Sequence, residues 1–123
     1  MIDEAIKIAK KSKSESHRVG CVITNKKGKI ISIGFNSETK THPEQAKFAL
    51  MNGEINKIFL HAEIHALVRC RDNPYTIHVA RLTKGGNVGI AKPCPICQLA
   101  IKKAKIKKVI YTNKKGGTSQ YEL

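Results

Sequence analysis

The sequence predicts an α/β fold, a three-layer α/β/α sandwich with helices on both faces of a mixed sheet of five strands. Two observations carry this. Segments whose apolar residues recur with helical period alternate along the chain with short β-branched runs, and Gly, Pro and Asn mark the junctions. Such alternation places helices on both faces of a sheet. The 123 residues, 41% of them hydrophobic, suffice for one domain with a real core, so residues 1–123 are expected to form a single unit.

Residues 2–12 set Ile2, Ala5, Ile6 and Ala9 on one stripe with Lys opposite, an amphipathic helix. Residues 18–24 read as a buried strand, Asn25 to Gly28 as a turn, and Ile31, Ile33 and Phe35 alternate along a second strand, giving a hairpin. Thr41 and Glu44 have capping-box spacing with Pro43 between them, predicting a helix to about Met51 that Asn52-Gly53 ends. Leu60–Arg69 form a helix whose Ile64, Leu67 and Val68 face the core. Asp72-Asn73-Pro74 breaks the chain before a third strand, Tyr75–Leu82. After a loop at Lys84–Lys92 come a Lys-faced helix, Pro95–Lys105, and a fourth strand, Lys107–Thr112. Gly116-Gly117 then turns the chain into a short fifth strand ending at Leu123.

Lys and Arg number 23 against 9 Asp and Glu, a formal charge of +14. A field of that sign attracts nucleotides, nucleic acid or anionic membrane surfaces. The alternative is codon bias, since the chain is rich in Lys, Ile and Asn and holds only four Arg. Nothing in it is long and apolar enough to span a bilayer, so no membrane partner is expected. The N-terminus lacks the basic head and apolar run of a signal peptide, so a cytoplasmic, reducing setting is expected. There, Cys94 and Cys97 at CxxC spacing point to metal or redox chemistry rather than to disulfides.

The chemistry sits in His61-Ala62-Glu63 and Pro93-Cys94-Pro95-Ile96-Cys97, each opening a predicted helix. Imidazole and two thiolates suit zinc, and three protein ligands leave a fourth tetrahedral position for water. Cys94 and Cys97, in a first helical turn, meet unpaired N–H groups and the positive dipole end, which favour thiolate. Pro95 suits that turn because its missing amide would have had no helical partner. Glu63 lies about 200° round the helix from His61 and is free to move protons rather than bind the ion. Hydrolytic deamination needs such a set: hydroxide near neutral pH and an acid for the departing ammonia. Three alternatives stand beside it. A redox CxxC leaves H-x-E unexplained; His61 and His65 suggest a zinc protease, but Ala62 occupies the place of its Glu; and a structural Cys2His zinc has no use for Glu63.

These motifs match the H-x-E and P-C-x-x-C signature of zinc nucleobase deaminases. The chain resembles the cytidine deaminase-like superfamily, in the branch whose first ligand is His, as in deoxycytidylate and nucleic-acid deaminases. The similarity extends to Val19-Gly20-Cys21-Val22-Ile23, Gly34-Phe35-Asn36 and Lys108-Val109-Ile110-Tyr111. It implies a cytidine-deaminase-like sandwich and one catalytic Zn2+ on His61, Cys94 and Cys97, with Glu63 as the proton shuttle. It further implies that Asn36 touches the sugar or base and that Ala62 offers its backbone amide to the base carbonyl. Tyr111, at a strand end, is a candidate to stack on a base, with packing as the alternative. The Gly-Gly turn suggests a closing antiparallel hairpin, as in free-cytidine deaminases. Residues 37–60 stand where a substrate loop would be and are expected to form a lid.

The implied reaction is hydrolysis of a cytosine base to uracil and ammonia, at the C–N bond of a cyclic amidine. The substrate is a free cytosine nucleotide or nucleoside, or else cytosine or adenine within single-stranded DNA or RNA. The charge and the Lys102-Lys103-Lys105 face suit the strand; 5% aromatic content without Trp argues against stacking platforms. The non-enzymatic alternative is a zinc-stabilised module for an anionic partner. A homodimer is expected from the superfamily. Cys21 and Cys70 are expected as buried small apolar residues, and His17, His42 and His78 in surface or loop roles, His17 and His42 flanking loops that could line a pocket.

Overall fold

The computed structural model describes residues 1–14, 17–54, 59–113 and 116–123. The chain order is α1 (Ile2–Ala9), β1 (His17–Thr24), β2 (Ile30–Phe35), α2 (Pro43–Met51), α3 (Ala62–Arg69), β3 (Thr76–Thr83), β4 (Val88–Gly89), α4 (Pro95–Lys103), β5 (Lys108–Thr112) and β6 (Thr118–Glu122). The sheet runs β2-β1-β3-β5-β6, with β4 paired to the end of β3. Among the described residues β3 and β5 pair in parallel and the other strand pairs are antiparallel. The mixed sheet and the closing β5/β6 hairpin are as expected. The two-residue β4, inside the predicted Lys84–Lys92 loop, makes six strands among the described residues rather than five.

The central strands β1 and β3 are buried on both faces, and the layer each residue packs against alternates with the strand period of two. On one face Val22 and Ala80 pack under Ala5 and Ile8 of α1. On the other, Cys21, Ile23, Ile77, Val79 and Val109 meet Ala62 and Ala66 of α3 and Ile101 of α4. Phe48 and Ala49 of α2 pack outside these helices, against Ile64, Ile96 and Ala100. Two glycines set the spacing between layers. A Cβ on Gly20 would stand 2.1 Å from Ala5 O, and one on Gly34 would stand 2.5 Å from both Ala62 O and Ala66 N. No side chain fits there, so α1 and α3 lie almost directly on the strands.

Local signals explain most boundaries and correct several. Asn25 Oδ1 accepts from Lys27 N and Lys29 N at 3.0 Å, shaping the first hairpin turn. His42 rather than Thr41 caps α2, its Nδ1 accepting from Glu44 N at 3.0 Å, while Thr41 bridges to Phe59. Pro43 occupies the first turn as expected. The Asn52-Gly53 stop is a Schellman motif, with Gly53 N on Leu50 O and Glu54 N on Ala49 O. α4 ends at Lys103 instead of Lys105, because Lys105 turns left-handed at φ 61°. α1 stops at Ala9, three residues short of the predicted 12.

Two side chains depart from expectation. His78 lies inside β3 at 7% exposure, 3.2 Å from Thr24 Oγ1; the strand period puts it under α1, not in a loop. Cys70 is half-buried rather than buried, its Sγ donating to Asp72 O beyond the end of α3. Among the described residues no helix is long and apolar enough to cross a membrane.

Candidate active site

The N-termini of α3 and α4 converge beside the C-terminal ends of β2 and β3. His61 is the N-cap of α3 and Cys94 the N-cap of α4, so both helix dipoles turn their positive ends to one spot. Here His61 Nδ1 lies 3.5 Å from Cys94 Sγ and 3.4 Å from Cys97 Sγ. All three ligand atoms fall within 4.8 Å of one another. Tetrahedral zinc with ordinary Zn–N and Zn–S bonds sets an N···S edge of about 3.6 Å, so the donor set fits the ion in type and in spacing.

The electrostatics divide the two cysteines, favouring thiolate at Cys94 and thiol at Cys97. The Cys94 thiol is drawn down to about 4, first by its hydrogen bond with Cys97 and then by His61. Cys97, the donor in that bond and buried, is held up. Burial raises the Glu63 carboxyl above its usual range against the lowering effect of His61. Cys21 and Cys70 lie outside the cluster, and all four cysteines are free thiols.

Neighbouring elements lock the cluster in place. Ser32 Oγ on β2 donates to Ala66 O at 2.6 Å, and His65 Nδ1 sits 3.1 Å from both backbone N and O of Phe35. The Ser32 bond and one His65 bond to Phe35, accepted from its N–H or donated to its O according to the ring tautomer, fasten α3 to β2, which gives His65 a structural part. Gln45 of α2, fully buried, accepts the His61 N–H at 3.1 Å. Gln98 Nε2 donates to Pro93 O at 2.8 Å, clasping the turn before Cys94. Thr112, at the end of β5, donates to Gly89 O at 2.6 Å and accepts the Ala91 N–H through its carbonyl at 2.9 Å.

A cavity of about 230 Å3 opens against this cluster, lined by His61, Ala62, Glu63 and Cys94 on the helix side. Asn36, Arg81 and His17 face them, with Ile90 and Lys92 alongside. Asn36 is held by β1, its Oδ1 accepting from Val19 N at 2.9 Å and its Nδ2 donating to His17 O at 3.3 Å. The structure thus brings six of the seven sequence-predicted residues together, counting Cys97 beside the cavity. Tyr111 stands apart: its ring packs near that of Tyr121, centroids 6.2 Å apart, and it is absent from the lining. The parallel β3/β5 register directs it into the α-helical face of the core instead.

The described residues of the 37–60 segment do not line this cavity. Gln45 of this segment supports the site from behind through the His61 N–H; residues 55–58 lie outside the described residues. The larger cavity, about 480 Å3 between α2, α3 and α4, contains none of the His61, Glu63 and Cys94 set. Gln45, Thr112 and Arg81 are the residues sequence reasoning missed. Arg81 alone left a signal, a permanent charge within the otherwise apolar run Val79-Ala80-Arg81-Leu82.

Comparison with known proteins agrees. Residues 1–113 match the family described as the cytidine and deoxycytidylate deaminase zinc-binding region. No curated protein sequence matches the chain. Among solved structures, a Glu-to-Gln mutant of cytidine deaminase from Mycobacterium tuberculosis is similar in fold, with a TM-score of 0.58 and 15% identity, over 92% of this chain and 82% of that one. A Glu-to-Asp mutant of the same enzyme gives a TM-score of 0.52 and 17% identity, over 83% and 71%. With the sheet, the paired helix ends and a zinc-compatible His-Cys-Cys set already in place, the chain belongs to the cytidine and deoxycytidylate deaminase family and is a zinc deaminase.

Proposed function

We propose that the protein hydrolyses a cytosine base to uracil and ammonia in a free nucleotide or nucleoside, with His61, Cys94 and Cys97 as zinc ligands and Glu63 as the proton carrier. The observation that carries this is buried Glu63 on one small cavity with His61 and Cys94, where those two cluster with Cys97 as a metal-compatible set. When bound, zinc supplies the Lewis acidity that makes water a nucleophile near neutral pH.

The chain's own groups do the rest. The Glu63 carboxylate takes a proton from the attacking water and passes it to the ring nitrogen beside the carbon under attack. A second proton, from the hydroxyl now on that carbon, goes through Glu63 to the amino group, which leaves as ammonia while the C=O forms. Burial supports this shuttle, since it holds the Glu63 carboxyl above the usual carboxylate range and so favours its taking up a proton. The Ala62 N–H, in the open first turn of α3, donates to the base carbonyl in this reading. Asn36 orients the base or its sugar at the β2 end.

The test is Glu63→Gln in the zinc-loaded protein, with ammonia release measured on cytosine nucleosides and nucleotides. The expected result is full zinc content and a turnover lowered about 10²- to 10⁴-fold. Parent protein that retains zinc but releases no ammonia from any nucleobase substrate would overturn the proposal in favour of a structural zinc module.

A further inference from the structure

Three basic residues line the cavity without a part in the proton transfers: Arg81, His17 and Lys92. Arg81 is the most constrained. It lies in β3 opposite Val19 of β1, with its backbone N–H donated to Thr112 Oγ1 at 3.3 Å. Its aliphatic stem runs beside Gly89, where an added Cβ would meet Cδ at 3.6 Å and Cγ at 3.7 Å. Its Nε is buried and has no hydrogen-bond partner among the described residues. Ion pairs among those residues join Lys7 to Glu4 and Lys47 to Glu44, and none involves Arg81.

A guanidinium partly removed from water without an anion is costly, and a ligand that brings the anion offsets that cost. The positive field is felt nearby: His17 is shifted towards its neutral form, first by burial and then by the charge of Arg81. Among the described residues Glu63 is the one carboxylate on the lining, and it interacts with His61 and Cys97. At about 230 Å3 the cavity is smaller than the roughly 300 Å3 lower bound for pockets of drug-sized ligands. It has room for a base and part of a sugar, leaving further substituents at the basic side.

Building on the deaminase reading above, we infer that Arg81 is a specificity-determining residue that receives a phosphate carried on the sugar of a mononucleotide substrate. The planar fork of its terminal N–H groups donates to the phosphate oxygens, a geometry that suits Arg better than Lys. Lys92 adds charge at the exposed edge. A mononucleotide suits the site better than a nucleic-acid strand, because no Phe, Tyr or Trp lines it to stack flanking bases.

The experiment measures binding of uridine and uridine 5′-monophosphate, product-type ligands that are not consumed, to zinc-loaded parent, Arg81→Gln and Arg81→Lys proteins by calorimetry. A short uracil-containing single-stranded DNA forms a third arm, and zinc content and melting temperature check each variant's fold. The parent is expected to bind the monophosphate about 30-fold or more tighter than the nucleoside. Arg81→Gln should bring that ratio to within about 3-fold, with Arg81→Lys between the two. Equal weakening of both ligands by Arg81→Gln would reduce Arg81 to a structural role and overturn the inference. So would a parent that binds the DNA tightly yet treats monophosphate and nucleoside alike. An intact ratio in a protein that releases no ammonia from any cytosine compound would instead overturn the deamination reading and uphold the phosphate contact.

Discussion

Replacing Gly34 by Ala tests how closely the zinc site depends on the seating of α3 on β2. The new Cβ would stand 2.5 Å from Ala62 O and Ala66 N, where ordinary contact begins at 3.4 Å. Both are backbone atoms, so no rotamer relieves the clash and α3 must retreat by about 0.9 Å. His61 and Glu63 travel with that helix, whereas Cys94 and Cys97 belong to α4. Metal–ligand distances tolerate only about 0.2 Å. Zinc affinity should therefore fall about 10- to 100-fold, and turnover by about 10²-fold.

Gly20→Ala is the control, because its Cβ would meet Ala5 O at 2.1 Å on the opposite face. It should cost about 1–3 kcal/mol of stability by displacing α1, while zinc affinity at 15 °C stays near that of the parent. Competition against a chromogenic zinc chelator, with thermal unfolding in parallel, reads both effects. Parent-like zinc affinity in Gly34→Ala, or an equal loss in Gly20→Ala, would refute the argument.

Three further outcomes follow from particular contacts. The buried His78 ring is held to about 4, by burial first and then by the N-terminal amine and Lys108. Because the unfolded chain takes up that proton near 6.5 and the native one near 4, stability is lost as pH falls between those values. His78→Gln should remove about 2 kcal/mol of that dependence, and parallel stability curves for parent and variant from pH 7 to 4.5 would contradict it. Gln45→Leu, which strands the His61 N–H, should weaken zinc about 10-fold with little change in secondary structure; an unchanged chelator titration would show that the contact is dispensable. Tyr111→Phe should leave KM for any nucleoside within about 2-fold, since the ring is outside the cavity lining; a large rise in KM would return Tyr111 to the site.

What the sequence determined by itself was whatever is encoded in local spacing. The H-x-E and P-C-x-x-C runs place three ligands and a carboxyl at helix starts, because N-caps and first turns are written in a few adjacent residues. The Asn52-Gly53 stop, the first hairpin and the alternation of helix with strand were legible for the same reason. Capping was only partly so: His42 displaced Thr41 because the bridge from Thr41 to Phe59 engages that residue in the extended chain.

Tertiary structure alone decided everything that joins distant segments. That Gln45 supports His61, that Thr112 holds the strand before Cys94, and that α2 packs behind the site instead of over it all depend on contacts between elements far apart in the chain. The burial of His78 and the exclusion of Tyr111 depend likewise on which face of each strand the sheet register presents, which the sequence near either residue does not specify. Arg81 shows both levels at once. Its sequence announces a charge inside a strand, and only the packing of β1, β3 and the helix ends places that charge on the wall of the cavity.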